Sequence, residues 1–363
     1  MSRIDWHQCK FIESGGNLKS LIKKRFGREP SVTRLREIGA CLQQGRLFYE
    51  AASEAPLEIR PLQQFYGMLA FARALIIASQ RRSLATLSQS HGLRDVSQHG
   101  MRIAEMKVKI QRSGTFQEFN DVVASLNRLC YIDNETKWRV IPIPSAVSSQ
   151  LIDVELSLRD LLGRIPGLDA LYRMTFRSEP LTEPIHFETG YRDNRGFRIR
   201  MDDREIFQNR ESIRGIVDRW RARFPFLRAW RLNAVQQAWG YSIVHFRNAS
   251  PDGLLEFSED YLDLDGSNGR ERPVAGDNNV QFPLGEKLDP LAGGFSNSYT
   301  YAISPVGGNF LSEFSVQYLT LFLLSSLVRY RPQSWTHAIS RSSMINQPAD
   351  DETFPGQAVD AAK

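Results

Sequence analysis

Cysteine is scarce in this chain: Cys9, Cys41 and Cys130 are its three, far apart and with no C-x-x-C pair. That spacing argues against a disulfide framework and a cysteine zinc site, and fits a reducing cytoplasm. The most apolar run, Tyr318 to Val328, is too short to span a bilayer and carries Ser325 and Ser326. The opening MSRIDWHQCK has no apolar h-region, so no secretory signal and no membrane partner are expected. Lysine is missing between Lys137 and Lys287, where every permanent cation is an arginine. The guanidinium fork suits phosphate and carboxylate recognition, although a codon bias toward arginine leaves the same trace. The formal net charge of +5 is by itself weak evidence for nucleic acid. Motifs are missing too: no Walker A lysine, no G-x-G-x-x-G after a strand, no G-x-S-x-G, no H-E-x-x-H. DLDGSNGRE, Asp263 to Glu271, lacks the ligand ladder of a calcium loop and reads as an acidic turn. Neither a cofactor nor a metal is expected.

What is present is two apolar helical stretches near opposite ends of the chain. PLQQFYGMLAFARALIIASQ (Pro61 to Gln80) is apolar nearly all round, which places it at the centre of a bundle, with Pro61 at the helix start. Gly67, Ala70 and Ala74 would admit a second helix closely. NFLSEFSVQYLTLFLLSSLVRYRPQSWTH (Asn309 to His337) is its expected partner, ended by Pro332. Ser31 or Thr33 caps a further helix through TRLREIGACLQQGRLFYEAAS. With 363 residues the chain exceeds one typical core. An α+β architecture follows. Residues 31–95 and 309–338 form a discontinuous helical bundle, and 97–300 a large mixed α/β insertion. Residues 1–30 are an N-terminal extension and 339–363 a disordered tail.

Within the insertion, Met106, Val108 and Ile110 alternate with Lys107, Lys109 and Gln111 as in a strand with one wet face. Trp138 to Pro144 is expected as an edge strand, and helical period runs from Ser149 to Leu162. LYRMTFRSE, GFRIRMDD and YSIVHFRNA read as strands, 203–223 as an amphipathic helix, and Asp263 to Gly308 as a long loop.

Two places can carry chemistry. His91 leaves the first apolar helix in SQSHGLRD, where it is either an acid–base group or a loop pin. At the far end Arg329, Arg331 and His337 cluster in RYRPQSWTH. An imidazole that moves a proton and a guanidinium that steadies a phosphorane suffice for metal-independent RNA cleavage. The bland alternative is that these arginines complement a helix dipole. A third patch interleaves cations and rings: Arg219, Arg221, Arg223, Arg228 and Arg231 with Trp230. Such a patch binds nucleic acid, or it is a helix end followed by core aromatics.

CLQQGRLFYEAA (Cys41 to Ala52), PLQQFYGMLAFARALII, SHGLRD, KIQRSGTF (Lys109 to Phe116) and FLLSSLVRYRPQSW together resemble the YaaC-like family of bacterial proteins. That resemblance implies a fold and no activity. A more distant one is to HEPN domains, on Phe65–Met68, Ala72–Leu75 and the following His91. HEPN ribonucleases pair an Arg with a His a few residues on, across a dimer. Arg331 and His337 have that spacing, although Pro332 replaces the usual polar residue. What this resemblance implies is a HEPN-like bundle in a homodimer that binds or cleaves RNA, in bacterial defence. His337 or His91 would be the acid–base, and Arg331, Arg329 or Arg73 the phosphate stabiliser. The competing expectation is a non-catalytic dimerisation or partner-binding module.

Overall fold

The computed structural model describes residues 6–98, 100–126, 128–132, 138–142, 146–189, 197–203, 213–224, 227, 230–238, 241–248, 255–257, 271–273, 291–293 and 300–341. Along the chain the described helices are α1 (His7–Glu13), α2 (Gly15–Phe26), α3 (Val32–Glu54), α4 (Arg60–Gln80), α5 (Thr115–Leu126), α6 (Leu158–Leu162), α7 (Asp169–Phe176), α8 (Ile213–Arg223), α9 (Glu313–Tyr330) and α10 (Pro332–Arg341). The described strands are β1 (Leu93–Asp95), β2 (Lys107–Ile110), β3 (Arg128–Ile132), β4 (Trp138–Pro142), β5 (Glu155–Ser157), β6 (Thr182–Thr189), β7 (Phe197–Asp203), β8 (Trp230–Ala238), β9 (Tyr241–Asn248), β10 (Leu255–Phe257), β11 (Glu271–Pro273), β12 (Leu291–Gly293) and β13 (Thr300–Ile303). The fold is mixed α and β.

These elements form two compact units. A helical unit comprises Met1–Ser125, Ala146–Glu179 and Glu313–Lys363, and a sheet unit comprises Leu126–Ser145 and Pro180–Ser312. The division differs from an insertion over 97–300, because β2 pairs antiparallel with both β1 and β5. That small sheet ties residues 107–110 and 155–157 into the helical unit.

The helical unit is built on α4 and α9. Phe65 meets Tyr318 and Phe322 edge-on, each with ring centroids 5.8 Å apart. Tyr318 in turn stacks on Phe119 at 5.4 Å. Each ring contributes roughly 1.5–3 kcal/mol of burial, and each edge-on pair about another 0.5–1.5 kcal/mol. Helix α3 begins at Ser31, whose side chain accepts the Arg34 amide, and lies against α4 where both carry glycine. A Cβ on Gly67 would stand 2.7 Å from the Tyr49 ring, and one on Gly45 2.7 Å from Phe71. Buried Arg46 of α3 reaches back to Glu13, on α1, at 2.6 Å and to Glu50 at 2.8 Å. Polar core contacts join the rest: Ser315 donates to Asn120 at 2.9 Å, and Asn120 donates to the Ala146 carbonyl at 2.9 Å.

The sheet unit carries a six-stranded antiparallel sheet in the order β12-β13-β6-β7-β9-β8. Its core includes Ile185, Leu232, Val244 and Phe246, with Ile216, Val217 and Trp220 from α8. After β13, Gly307 and Gly308 take φ of 56° and 83° and close a two-residue turn between Val306 and Asn309.

Several local expectations change. LYRMTF is helical, not a strand: Tyr172, Thr175 and Phe176 bury one face of α7 at helical spacing. The stretch 149–162 is no single helix, because the Ser157 hydroxyl takes the Asp160 amide at 3.0 Å and starts α6 afresh after β5. Asp203 ends a strand and α8 covers Ile213–Arg223, while residues 204–212 of the expected helix lie outside the described ones. The expected loop over 263–308 contains β11, β12 and β13, and its other residues up to 299 lie outside the described ones. Residues 342–363, most of the expected tail, lie outside them too.

Candidate functional site

His91 is positioned by two of the quoted motif segments meeting. Gly92 of SHGLRD and Gly114 of KIQRSGTF stand back to back, with φ of 74° and 149°. A Cβ on Gly92 would overlap Gln117 Oε1, and one on Gly114 would overlap the Gly92 backbone, so neither position accepts a side chain. The Phe116 amide then donates to the His91 carbonyl at 3.0 Å, and Gln117 Nε2 to the Gly92 carbonyl at 2.8 Å.

The His91 ring lies half-buried with its edge toward Phe65 at 5.2 Å and Phe322 at 6.1 Å. Among the described residues no side chain hydrogen-bonds to the imidazole. Burial, then the nearby Arg329 and Arg73 guanidiniums, hold its pKa below the ordinary histidine value. Arg73 of α4 and Arg329 of α9 thus lie close enough to His91 to act on its charge. Arg329 is partly occupied there: it donates to the Ser325 carbonyl at 3.2 Å and lies 5.1 Å from the Tyr330 ring centroid. The result is a neutral base beside two cations, able to take a proton next to an anion.

Arg331 and His337 line a second feature, an open groove of about 1000 Å³ between residues 97, 98 and 100–103 and the α9–α10 junction. Arg331 is the link between α9 and α10, and Pro332 places His337 on α10. The proline opens α10, where a missing amide costs little and the fixed φ suits the first turn. Trp335 anchors α10 by donating from its indole to the Glu58 carbonyl at 3.0 Å. Arg331 donates to the Ser97 carbonyl at 2.9 Å and lies 3.8 Å from Asp95, which accepts a 2.6 Å bond from Ser326. Arg102 also faces the groove, and no carboxylate is among its described lining residues. Tyr330 stands on its rim, 71 % exposed.

The arginine–aromatic patch in the sheet unit is bonded inward. Arg219 meets the buried Asp203 carboxylate at 2.8 Å, where the Trp220 indole also donates at 2.6 Å. Arg221 donates to the Leu227 carbonyl at 3.3 Å, and Arg223 pairs with Glu183 at 2.8 Å. Trp220 is only 2 % exposed, so that ring is core and no stacking platform. Arg228 lies outside the described residues, as do the side chains of Trp230 and Arg231 in β8.

The sequence reading missed Arg102 and Tyr330 as groove residues. Nothing in HGMRIAE marks Arg102, since only the tertiary fold brings it beside α10. Among the described residues no group of three or more His, Cys, Asp and Glu could hold a metal, and no helix is long and apolar enough to cross a membrane.

A family model of YaaC-like proteins matches residues 14–349. The chain belongs to the YaaC-like family. The match takes in both units, the His91 cluster and the groove. No curated protein and no solved structure matches this YaaC-like chain.

Proposed function

We propose that this YaaC-like protein binds RNA in the groove at the α9–α10 junction and cleaves it without a metal, in the manner of a HEPN-like ribonuclease. The observation that carries this reading is the groove lining: Arg102, Arg331 and His337 face one open channel with no carboxylate among its described lining residues. Two guanidiniums hold a phosphodiester, and the exposed Tyr330 ring offers a base a stacking face. His337 takes the proton of the 2′-hydroxyl, whose oxygen attacks phosphorus. Arg331 steadies the added negative charge as the 5′-oxygen leaves. The leaving oxygen needs a proton, and His337 of a second copy across a two-fold axis supplies it. The products are a 2′,3′-cyclic phosphate and a 5′-hydroxyl. A defence role rests on the HEPN analogy alone.

A second reading is a non-catalytic partner-binding module. The bonds of Arg331 to Ser97 and toward Asp95 favour it, because they already occupy part of the guanidinium. One experiment separates the two. Purified protein is incubated with total RNA in EDTA and the fragment ends are analysed. Cyclic phosphate ends that vanish in both Arg331→Ala and His337→Ala support the ribonuclease. Intact RNA, together with RNA binding no weaker in Arg331→Ala, rejects this groove as the site.

A further inference from the structure

A smaller cavity of about 280 Å³ lies among α2, the start of α3 and the end of α4. Arg28, Arg34 and Arg81 line it, together with the apolar Ile22, Ile38 and Ile77. Arg28 is fixed: its guanidinium donates to the Ala78 and Ser79 carbonyls, both at 2.6 Å, and lies 5.8 Å from the Phe26 ring centroid. Those two bonds cover the negative C-terminal end of α4, which would otherwise repel an anion. Among the described residues, the side chains of Arg34 and Arg81 have no hydrogen-bond or ion-pair partner. Glu29 also borders the cavity, but Lys23 at 2.8 Å and Lys19 at 3.0 Å already hold its carboxylate. Three guanidiniums therefore meet over an apolar floor with no acid left to balance them.

We propose that this cavity binds the phosphate of a small phosphomonoester through Arg28, Arg34 and Arg81, with the ester's apolar body against Ile22, Ile38 and Ile77. Forked guanidiniums match phosphate oxygens, and a dianion removes the mutual repulsion of the three cations. That repulsion is felt at Arg28, whose pKa is lowered by burial first and then by Arg81 and Arg34. The volume lies near the lower end of ligand pockets, which run about 300–1,000 Å³, so a small ester fits and a polymer does not. The groove at α10 plays no part, and the proposal stands whether or not RNA is cleaved there.

The test is calorimetric titration of the full chain with adenosine 5′-monophosphate, inorganic phosphate and adenosine as probes. The monophosphate is expected to bind saturably and more tightly than inorganic phosphate, and adenosine not at all. Arg34→Gln combined with Arg81→Gln should weaken the monophosphate at least tenfold, while Arg331→Ala leaves it unchanged. Arg34 and Arg81 are chosen because their loss breaks no bond to a described residue, whereas Arg28 caps α4. The proposal is overturned if neither phosphate binds at millimolar concentration, if adenosine binds as well as its phosphate, or if the double variant binds like the parent. Loss of RNA binding in the double variant, without any small-phosphate binding, would assign the three arginines to a polymer track and overturn it as well.

Discussion

Arg223 in the sheet unit and Arg34 in the helical unit both sit at the end of a helix in a basic stretch of sequence. Their surroundings give them opposite uses. Arg223 closes α8, pairs with Glu183 at 2.8 Å, and donates to the Pro180 and Thr182 carbonyls at 3.0 and 3.2 Å. Arg219 and Arg221 beside it are bonded inward in the same way. The guanidiniums of Arg34, Arg81 and Arg73 in the helical unit have no hydrogen-bond partner among the described residues. A guanidinium held by a buried carboxylate contributes to stability, and removing either partner strands a charge. One left facing a cavity contributes little to stability and is available to an anion. Counting arginines along the chain points to the sheet unit as the binding surface, whereas their partners point to the helical unit.

The sharpest way to break this contrast is Asp203→Ala. The substitution orphans the Trp220 indole and the Arg219 guanidinium around a buried site. The sheet unit should lose about 3 kcal/mol, read as an earlier urea midpoint, with Asp203→Asn recovering part of it. Arg34→Gln should move the same midpoint by no more than about 0.5 kcal/mol. Equal losses in the two variants would remove the distinction.

Binding separates the units next. Anisotropy with a labelled RNA at one fixed salt concentration should show Arg331→Ala weakening the complex about tenfold, or about 1.4 kcal/mol. Arg221→Ala should shift it less than twofold, because that guanidinium faces the Leu227 carbonyl inside its own unit. The reverse order would return the interface to α8.

The helical frame was legible in the sequence where one physical signal dominated. An all-round apolar pattern marked α4 and α9 as central, and the Ser31 cap and the alternation over Met106–Ile110 marked α3 and β2. LYRMTF misled because its alternation imitates a strand, while the burial that makes it α7 comes from the third dimension. Pro332 marked the end of α9 as expected, but the sequence reading did not foresee that it also starts α10. The sites divide similarly. His91 was marked by the glycine turn behind it, and Arg331 with His337 by their spacing. Arg102 beside α10, and Arg28 with Arg34 and Arg81, carry no spacing signal at all. Whether an arginine is bonded inward depends on carboxylates and carbonyls far away in the chain, as Glu183 and Pro180 are for Arg223.

The last expected effects concern pH, and they sharpen the contrast because the helical unit also holds imperfectly matched titratable groups. Glu313 opens α9 mostly buried, accepting only the Gln317 amide at 2.9 Å among the described residues, and burial pushes its pKa up to about 7. Its folded value lies above the unfolded 4.5, so its contribution to stability is intact below pH 4.5 and is lost as pH rises through 7. Glu313→Gln should therefore stabilise the protein at pH 8 and leave it unchanged at pH 4. The gain should be about 1–2 kcal/mol, since the helix N-terminus relieves part of the buried charge. His91 acts in the opposite sense. Its pKa is lowered by burial, then by Arg329 and Arg73, so its contribution is intact above 6.5 and is lost as pH falls. His91→Gln should flatten the acid limb of the thermal midpoint against pH and leave the limb above 7 alone. Between the two values the groups pull the parent's curve in opposite directions, so each single variant should expose the slope of the other. An acid limb unchanged in His91→Gln would mean that the imidazole accepts its proton as readily folded as unfolded, and with that the poised base beside Arg73 and Arg329 would be lost.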